Sequence, residues 1–302
     1  MVRAADRAGR PARSSVWLED RAPRGGGARG GRPSSLDRDR ITGAAVRLLD
    51  AEGPAGFSMR RLAAELNVTA MSVYWYVDTK DDLLELALDA VYGELEPPDA
   101  GEGSVRHPVG DAAGDGDPDG DGGDWRDRLR ALAAGYRALL VRHPWVSPLA
   151  GTFLNIGPHS MAFSQRVQQV VRDTGLPLRD QTGAIAAVLQ FVYGFGTIEG
   201  HFVQRCASAG TTQDEYFHQA MTALADQPRF AEDHGSVADL MKARGGDTVE
   251  EMRERDFTFA LELLVAGVET MVARSGPRPA HGGPGRAGPG RDPGRDGPAA
   301  EG

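Results

Sequence analysis

The chain has 302 residues, 40% of them hydrophobic, and a formal net charge of −9 at pH 7. Its single cysteine excludes an intrachain disulfide, and charged side chains interrupt any candidate signal peptide near the N-terminus. The longest apolar run, residues 184–195, is too short to span a bilayer, so we expect a soluble cytoplasmic protein that does not contact a membrane.

Residues 1–35 are rich in arginine, glycine and proline and poor in core-forming side chains. This composition predicts a disordered basic tail. Its arginines could reach phosphates or a minor groove beside a bound protein. A solvated tail without function, or a start codon assigned too far upstream, is the favoured alternative.

Residues 57–80 predict two short helices joined by a tight turn. Ser58 can cap the first helix and Thr69 the second, because a side-chain oxygen satisfies the free N–H groups of a first turn. Asn67 lies between them and tolerates the left-handed conformation of a turn. The second helix presents small, hydroxyl and aromatic side chains, which is typical of a helix that enters a DNA major groove.

Further helices are predicted on both sides, ending at Gly53 upstream and beginning at Thr79 downstream. The whole block 36–96 resembles the DNA-binding domain of TetR/AcrR-type repressors, and Tyr74-Trp75-Tyr76-Val77 resembles the tetracycline-repressor branch. The other matching residues are Ala44-Ala45, Leu48-Leu49, Glu52-Gly53, Phe57-Ser58, Arg60, Leu62-Ala63, Leu66, Val68, Ser72 and Lys80-Asp81-Asp82-Leu83-Leu84.

The resemblance and the side-chain chemistry together predict a set of DNA contacts. Ser72 could hydrogen-bond a base edge, and Ala70 and Met71 suit a thymine methyl group. The resemblance implies a base contact for Arg60. Contacts to the phosphate backbone are expected from Ser58, Tyr74, Tyr76 and Lys80. Packing of Trp75 against the fourth helix is an equally good interpretation. The full predicted set is Ser58, Arg60, Thr69, Ala70, Met71, Ser72, Tyr74, Trp75, Tyr76 and Lys80.

Two low-complexity stretches flank the second half of the chain. Residues 97–124 are rich in glycine and aspartate and predict a linker; residues 275–302 predict a disordered tail. The linker imitates the start of a calcium loop at Asp115, but Arg126 stands where the loop needs a glutamate. We therefore expect a self-repelling, solvated linker and no metal.

Residues 125–274 predict a second, entirely helical domain. It resembles the C-terminal domain of the tetracycline-repressor class, which binds a small effector inside a helical bundle and dimerises through its last long helices. The linker is longer than in that pattern. The matching motifs are Asp124-Trp125-Arg126, His143-Pro144-Trp145, Gly175-Leu176-Pro177 and Phe191-Val192-Tyr193-Gly194-Phe195.

The resemblance also implies an effector pocket between these helices. Phe153 occupies the position of the family's metal-binding histidine and cannot bind magnesium, so we expect neither a metal nor another cofactor. Glu199 aligns with an acidic residue of the same site, although a polar anchor or a surface charge is the plainer interpretation. The predicted pocket residues are Phe153, Leu154, Phe163, Val167, Leu189, Phe191, Phe195, Glu199 and His201.

We therefore expect an all-α protein with an N-terminal three-helix helix-turn-helix domain and a C-terminal helical bundle for ligand binding and dimerisation. The expected function is a homodimeric transcriptional repressor that binds a near-palindromic double-stranded DNA operator and is released by an unknown small-molecule effector. An effector-independent regulator and an enzyme fused to a DNA-binding domain are alternatives; the sequence offers no catalytic residues for the second. An apolar stripe on the last helix comprises Phe257, Leu261, Leu264, Val265 and Val268. Packing against the chain's own core would explain it equally well, but the resemblance implies that it is the dimer interface.

Overall fold

The structure is a computed structural model that describes residues 15–18, 36–95, 124–225 and 247–275. Within these ranges all regular secondary structure is α-helical, which confirms the predicted fold class. The helices there are α1 (Arg38–Gly56), α2 (Met59–Glu65), α3 (Ala70–Tyr74), α4 (Lys80–Tyr92), α5 (Trp125–Arg142), α6 (Val146–Ala150), α7 (Pro158–Arg172), α8 (Leu178–Ser208), α9 (Gln213–Ala225) and α10 (Val249–Ser275).

The first four helices form one unit around a shared apolar core. Helix α1 packs on α2 and α4, and α2 packs on α3. Each aliphatic side chain of this kind contributes about 1.5–3 kcal/mol when it leaves water. The side chains with no exposed surface are Ile41, Ala44, Ala45, Leu49, Leu62, Val73, Leu83, Ala87 and Val91.

Side-chain caps and left-handed residues set the ends of these helices. The Ser58 and Thr69 hydroxyls each accept from the backbone N–H three residues on, as predicted. Helix α4 begins with Thr79, which exchanges hydrogen bonds with Asp82 in a capping box. The turn before α3 contains Asn67 with φ of 55°. This local chemistry fixes the helix-turn-helix geometry.

Helix α1 loses helical geometry at Gly53, where φ is 67°. The sequence predicted a helix stop at this residue, and the structure continues with a short turn that contains Pro54. A side chain at φ of this sign is strained, so glycine suits the position. The chain is thereby redirected toward α2.

The N-terminal segment predicted to be disordered, residues 1–35, contains a turn at residues 15–18. Ser15 is buried there and its hydroxyl donates to the carboxylate of Glu85 on α4, while Trp17 packs against the core of the first unit. The prediction of disorder is wrong for this turn, because average composition does not detect one short apolar segment. The arginines proposed to reach DNA lie outside the described residues.

The second unit is built around α5 and α8, which cross closely at two glycines. A Cβ atom on Gly200 would lie 2.6 Å from the carbonyl oxygen of Leu140, and one on Gly196 would lie 3.0 Å from the Leu140 side chain. No larger residue fits at Gly200 without moving the backbone. Helix α7 packs on both α5 and α8, and also on α4 of the first unit.

The predicted dimer stripe of α10 is wrong. Phe257, Leu261, Val265 and Val268 are buried in the chain's own core, and Leu264 packs against that core. Periodicity identifies an apolar stripe but does not say which neighbour covers it, and here the helices of the same chain do. A different face of α10 exposes large apolar side chains, namely Phe259, Leu263 and Met271.

Helix α8 extends well beyond the apolar run 184–195. Its 31 residues are long and apolar enough to cross a bilayer by length and composition, and 28% of its most apolar window is buried within the chain. A core or interface helix of a soluble protein meets the same criterion. Ile198 is 72% exposed on this helix, so part of its apolar surface has no cover within the described chain.

The other predictions of low complexity fall on residues that the structure does not describe. The linker 97–124, the candidate calcium loop within it and the tail 275–302 lie outside the described ranges except at their first or last residues. They stay predictions.

Candidate DNA interface and regulatory core

Helix α3 presents the face that was predicted to meet DNA. Val73 points into the core without exposed surface, whereas Met71 and Trp75 are 69% and 68% exposed and Tyr74 is exposed beside them. Contiguous exposed apolar side chains, unlike single scattered ones, often mark interaction sites. The face therefore suits contact with another molecule.

Trp75 is 68% exposed and is not among the side chains that pack against the core, which disfavours the alternative that it packs against the fourth helix. Helix α3 ends just before this residue. Ala70 and Ser72 are half-buried, with the Ser72 hydroxyl 2.9 Å from that of Thr69. One of the two hydroxyls donates in this contact, so the other keeps its O–H to donate to a base or a phosphate oxygen.

The basic side chains near this face differ in how they are held. Arg61 pairs with Glu52, and Arg47 pairs with Glu65 at 3.2 Å. Arg60 is exposed at the start of α2 and makes no hydrogen bond or ion pair to any residue that the structure describes. Arg60 is thus the arginine of α2 whose guanidinium remains available for an outside partner.

Lys80 and Tyr76 are anchored within the domain. Lys80 donates to the carbonyl oxygen of Phe57 at 3.0 Å, and its ammonium lies 5.4 Å from the centre of that ring. The Tyr76 hydroxyl donates to the carbonyl of Leu36 at 2.7 Å. Both side chains therefore stabilise the fold of the first unit, α1 to α4, which we call the reading head. A phosphate contact would use only the hydrogen-bonding capacity that these side chains retain.

The predicted effector residues are distributed over two aromatic clusters and the surface. In the first cluster the ring of Phe163 lies 5.8 Å from that of Tyr92 and 5.3 Å from that of Tyr136, and Val167 is buried on the same helix α7. Burial raises the pKa of both tyrosines, so their hydroxyls stay neutral. This set links α4 directly to the second unit.

A second aromatic cluster lies where α8 meets α10. Phe191 stacks on Phe257 at 5.4 Å, and Phe195 meets Phe257 edge-on at 5.2 Å. Phe153 and Leu189 are half-buried, while Leu154 and His201 are exposed. The sequence identified inward-facing residues on separate helices, but it did not show which of them contact one another.

Glu199 is a buried anchor. Its carboxylate accepts from Arg137 of α5 at 2.7 and 3.1 Å, and the same guanidinium donates to Glu254 of α10 at 2.5 Å. The guanidinium also lies 4.5 Å from the centre of the Phe257 ring. Burial opposes the charge, yet the two carboxylates raise the pKa of Arg137, so its guanidinium stays charged.

The sequence analysis missed the residues that join the two units. Asp89 of α4 is 3% exposed and accepts from the backbone N–H groups of His159 and Ser160, at 3.3 and 2.8 Å, which caps the start of α7. A Cβ on Gly157 would lie 2.3 Å from this carboxylate, so the cap requires glycine there. One signal was available: Asp89 interrupts the apolar face of α4, and an acidic residue at a core position predicts a buried hydrogen-bond partner.

An open groove of about 560 Å³ lies on the outer face of α10. None of the predicted effector residues lines it; its lining residues are Glu251, Glu254, Arg255, Thr258, Phe259 and Glu262. Among the described residues, no group of three or more histidine, cysteine, aspartate or glutamate side chains is placed to hold a metal ion.

Comparison with known proteins assigns both units. Residues 41–87 match the domain described as "Bacterial regulatory proteins, tetR family", and residues 117–272 match "Tetracyclin repressor-like, C-terminal domain". An HTH-type transcriptional regulator of Saccharopolyspora erythraea is 37% identical over 77% of this chain and 84% of its own. The HTH-type transcriptional repressor DrrR1 of Streptomyces coeruleorubidus is 31% identical over 86% of this chain and 85% of its own.

Solved structures share the fold. Apo ActR from Streptomyces coelicolor matches with a TM-score of 0.59 at 22% identity, covering 81% of this chain and all of its own. ActR has also been solved in complex with actinorhodin, and that structure matches with a TM-score of 0.57 at 24% identity over the same shares.

Proposed function

We propose, since the chain belongs to the tetR family of bacterial regulatory proteins, that it represses transcription from an operator and is released by a small-molecule effector. A regulator of this kind acts where the chromosome is, in the cytoplasm. The finer parts of the proposal are the operator contacts, the dimer and the release.

The packing of α4 carries the proposal of release. Helix α4 contacts both α6 and α7, and Asp89 caps α7 with two hydrogen bonds. A rearrangement of α7 caused by a ligand would therefore move α4 and the attached reading head. Such coupling passes through packed helices and does not depend on the long linker 97–124.

The effector would enter between the helices of the second unit. Neutral tyrosine hydroxyls and aromatic rings line the contact of α4, α5 and α7, which suits a largely uncharged aromatic compound. ActR, which shares the fold, has been solved with actinorhodin bound, which supports a small-molecule effector in general. Because side chains fill the space in this structure, binding would require them to move apart.

Selection of random double-stranded DNA on the full-length protein tests the regulator. We expect a near-palindromic sequence to be enriched, and enrichment of no sequence would contradict operator binding. A panel of aromatic small molecules, together with actinorhodin, would then be screened by thermal shift. Enrichment of an operator without stabilisation by any compound would favour the effector-independent regulator.

The second part of the proposal is a two-fold dimer through α8 and α10. These helices expose apolar side chains that the chain itself does not cover, chiefly Ile198, Phe259 and Leu263. A two-fold dimer would bury the same patch on each subunit and present two reading heads to a palindromic site.

Replacing Phe259 and Leu263 with glutamate should give a monomer, because two charges would enter the proposed apolar interface. Light scattering at micromolar concentration measures this, and operator affinity should fall with it. Met161→Glu on α7 is a matched control, since Met161 is also an exposed apolar residue. A wild-type chain that is monomeric while it binds the selected operator would exclude this dimer.

A further inference from the structure

His143 lies at the junction of the two units, between two carboxylates of the DNA-binding unit. The side chain is 4% exposed. Its Nδ1 is 2.6 Å from the carboxylate of Asp50 on α1, and its Nε2 is 3.1 Å from that of Glu94, just beyond α4. Thus one imidazole from the end of α5 reaches two elements of the reading head.

We propose that His143, when protonated, clamps the end of α4 to the second unit by bonding both carboxylates. Loss of its proton then releases Glu94 while Asp50 stays bound. The clamp itself does not depend on the proposed operator function. Any influence of the clamp on operator binding rests on that function.

The hydrogen-bond chemistry requires the proton. A carboxylate can only accept, and a neutral imidazole has a single N–H to donate. Two carboxylate partners on the two ring nitrogens are therefore both satisfied only by the imidazolium. Burial lowers the pKa of His143, but the hydrogen bonds to Asp50 and Glu94 outweigh it and leave the pKa raised above 6.5.

The neighbours determine which contact is lost. The indole N–H of Trp145 donates to the same oxygen of Asp50 at 2.6 Å, so Asp50 keeps a second donor and the shorter contact to the ring. Glu94 has Arg142 of α5 at 3.0 Å, an exposed pair that water screens. A second titratable ring, that of His159 on α7, lies beside Gly93. Deprotonation therefore breaks the hydrogen bond between His143 and Glu94 before that between His143 and Asp50.

The sign of the pH effect follows from the raised pKa. A histidine whose pKa is higher when folded stabilises the fold fully below the unfolded value, about 6.5. This stabilisation is lost as pH rises through the folded pKa. The junction is thus tight below about pH 6.5 and looser once the pH exceeds the folded pKa, with the unfolding equilibrium changing about tenfold for each unit of upward shift.

NMR titration of the full-length protein, with the His143 signal assigned by its absence in His143→Gln, tests the clamp. We expect a pKa above 6.5 in the wild type and a lower one in Glu94→Gln, which removes one charge from the pair. Glu250→Gln removes an equally charged but exposed carboxylate of α10 and should leave the titration unchanged.

Titration of His143 at or below 6.5, or at the same pH in wild type and Glu94→Gln, would overturn the proposal. If His143→Gln fails to fold, the signal is assigned by elimination, with single substitutions of the other histidines, so that the assignment does not depend on Glu94→Gln. A clamp confirmed in this way, in a protein that selects no operator, would leave the clamp standing and remove only the proposed function.

Discussion

Replacing Arg60 with alanine should weaken binding to the selected operator by about 5- to 150-fold, because a bidentate arginine–guanine contact contributes about 1–3 kcal/mol. Arg60 is exposed at the start of α2 and has no partner within the described part of the chain. Its guanidinium can therefore bind a base without first breaking an ion pair. The loss should be concentrated at one base pair of the site.

Arg61→Ala is the matched control, since it removes the same charge from the next residue of the same helix. Arg61 pairs with Glu52 and should affect all DNA sequences about equally, with a small decrease in salt dependence. Fluorescence anisotropy with the operator and with single-base variants separates the two effects. Equal losses for both variants on every sequence would mean that Arg60 reads no base.

Breaking the buried ion network should cost more in folding than any surface change. Arg137→Met leaves the carboxylate of Glu199 buried without its partner, which costs about 3–5 kcal/mol in comparable cases. Glu199→Leu should cost less, because Arg137 keeps Glu254. The double variant should recover most of the loss, since an apolar pair of similar volume carries no charge to desolvate. Urea unfolding gives the free energies.

Arg130→Met serves as the control on the same helix. Arg130 binds Glu262 of α10 with two hydrogen bonds at 2.7 and 2.9 Å, but both side chains are substantially exposed. An exposed pair of this kind contributes less than about 1 kcal/mol. A double variant at the buried pair that is no more stable than Arg137→Met would show that shape, and not charge, holds this junction.

The sequence predicts local structure here better than long-range contacts. The caps at Ser58 and Thr69 and the turn at Asn67 depend on residues within a few positions, so the helix-turn-helix could be located directly. Arg137 and Glu199 are 62 residues apart in the sequence, and no pattern of neighbouring residues indicates that they pair. The same holds for Asp50 and His143, which are 93 apart.

Some predicted DNA-binding residues are already hydrogen-bonded within the domain, whereas others are exposed. Chemistry identified Lys80 and Tyr76 as groups able to bind phosphate, yet in the structure their polar ends bond backbone carbonyls of the same domain. The type of a residue shows which hydrogen bonds its side chain can make, whereas only the structure shows which partners it already has. The DNA roles of the ten predicted residues therefore stay predictions, with Arg60 and the exposed face of α3 the best supported.

Reciprocal titration of operator and effector tests the account most directly. Using a compound that stabilises the protein in the screen, operator affinity is measured with saturating compound, and compound affinity with saturating operator. We expect each to weaken the other by the same factor, about 100-fold for a coupling of about 2.7 kcal/mol. An operator affinity that saturating compound leaves unchanged would contradict a repressor released by its ligand.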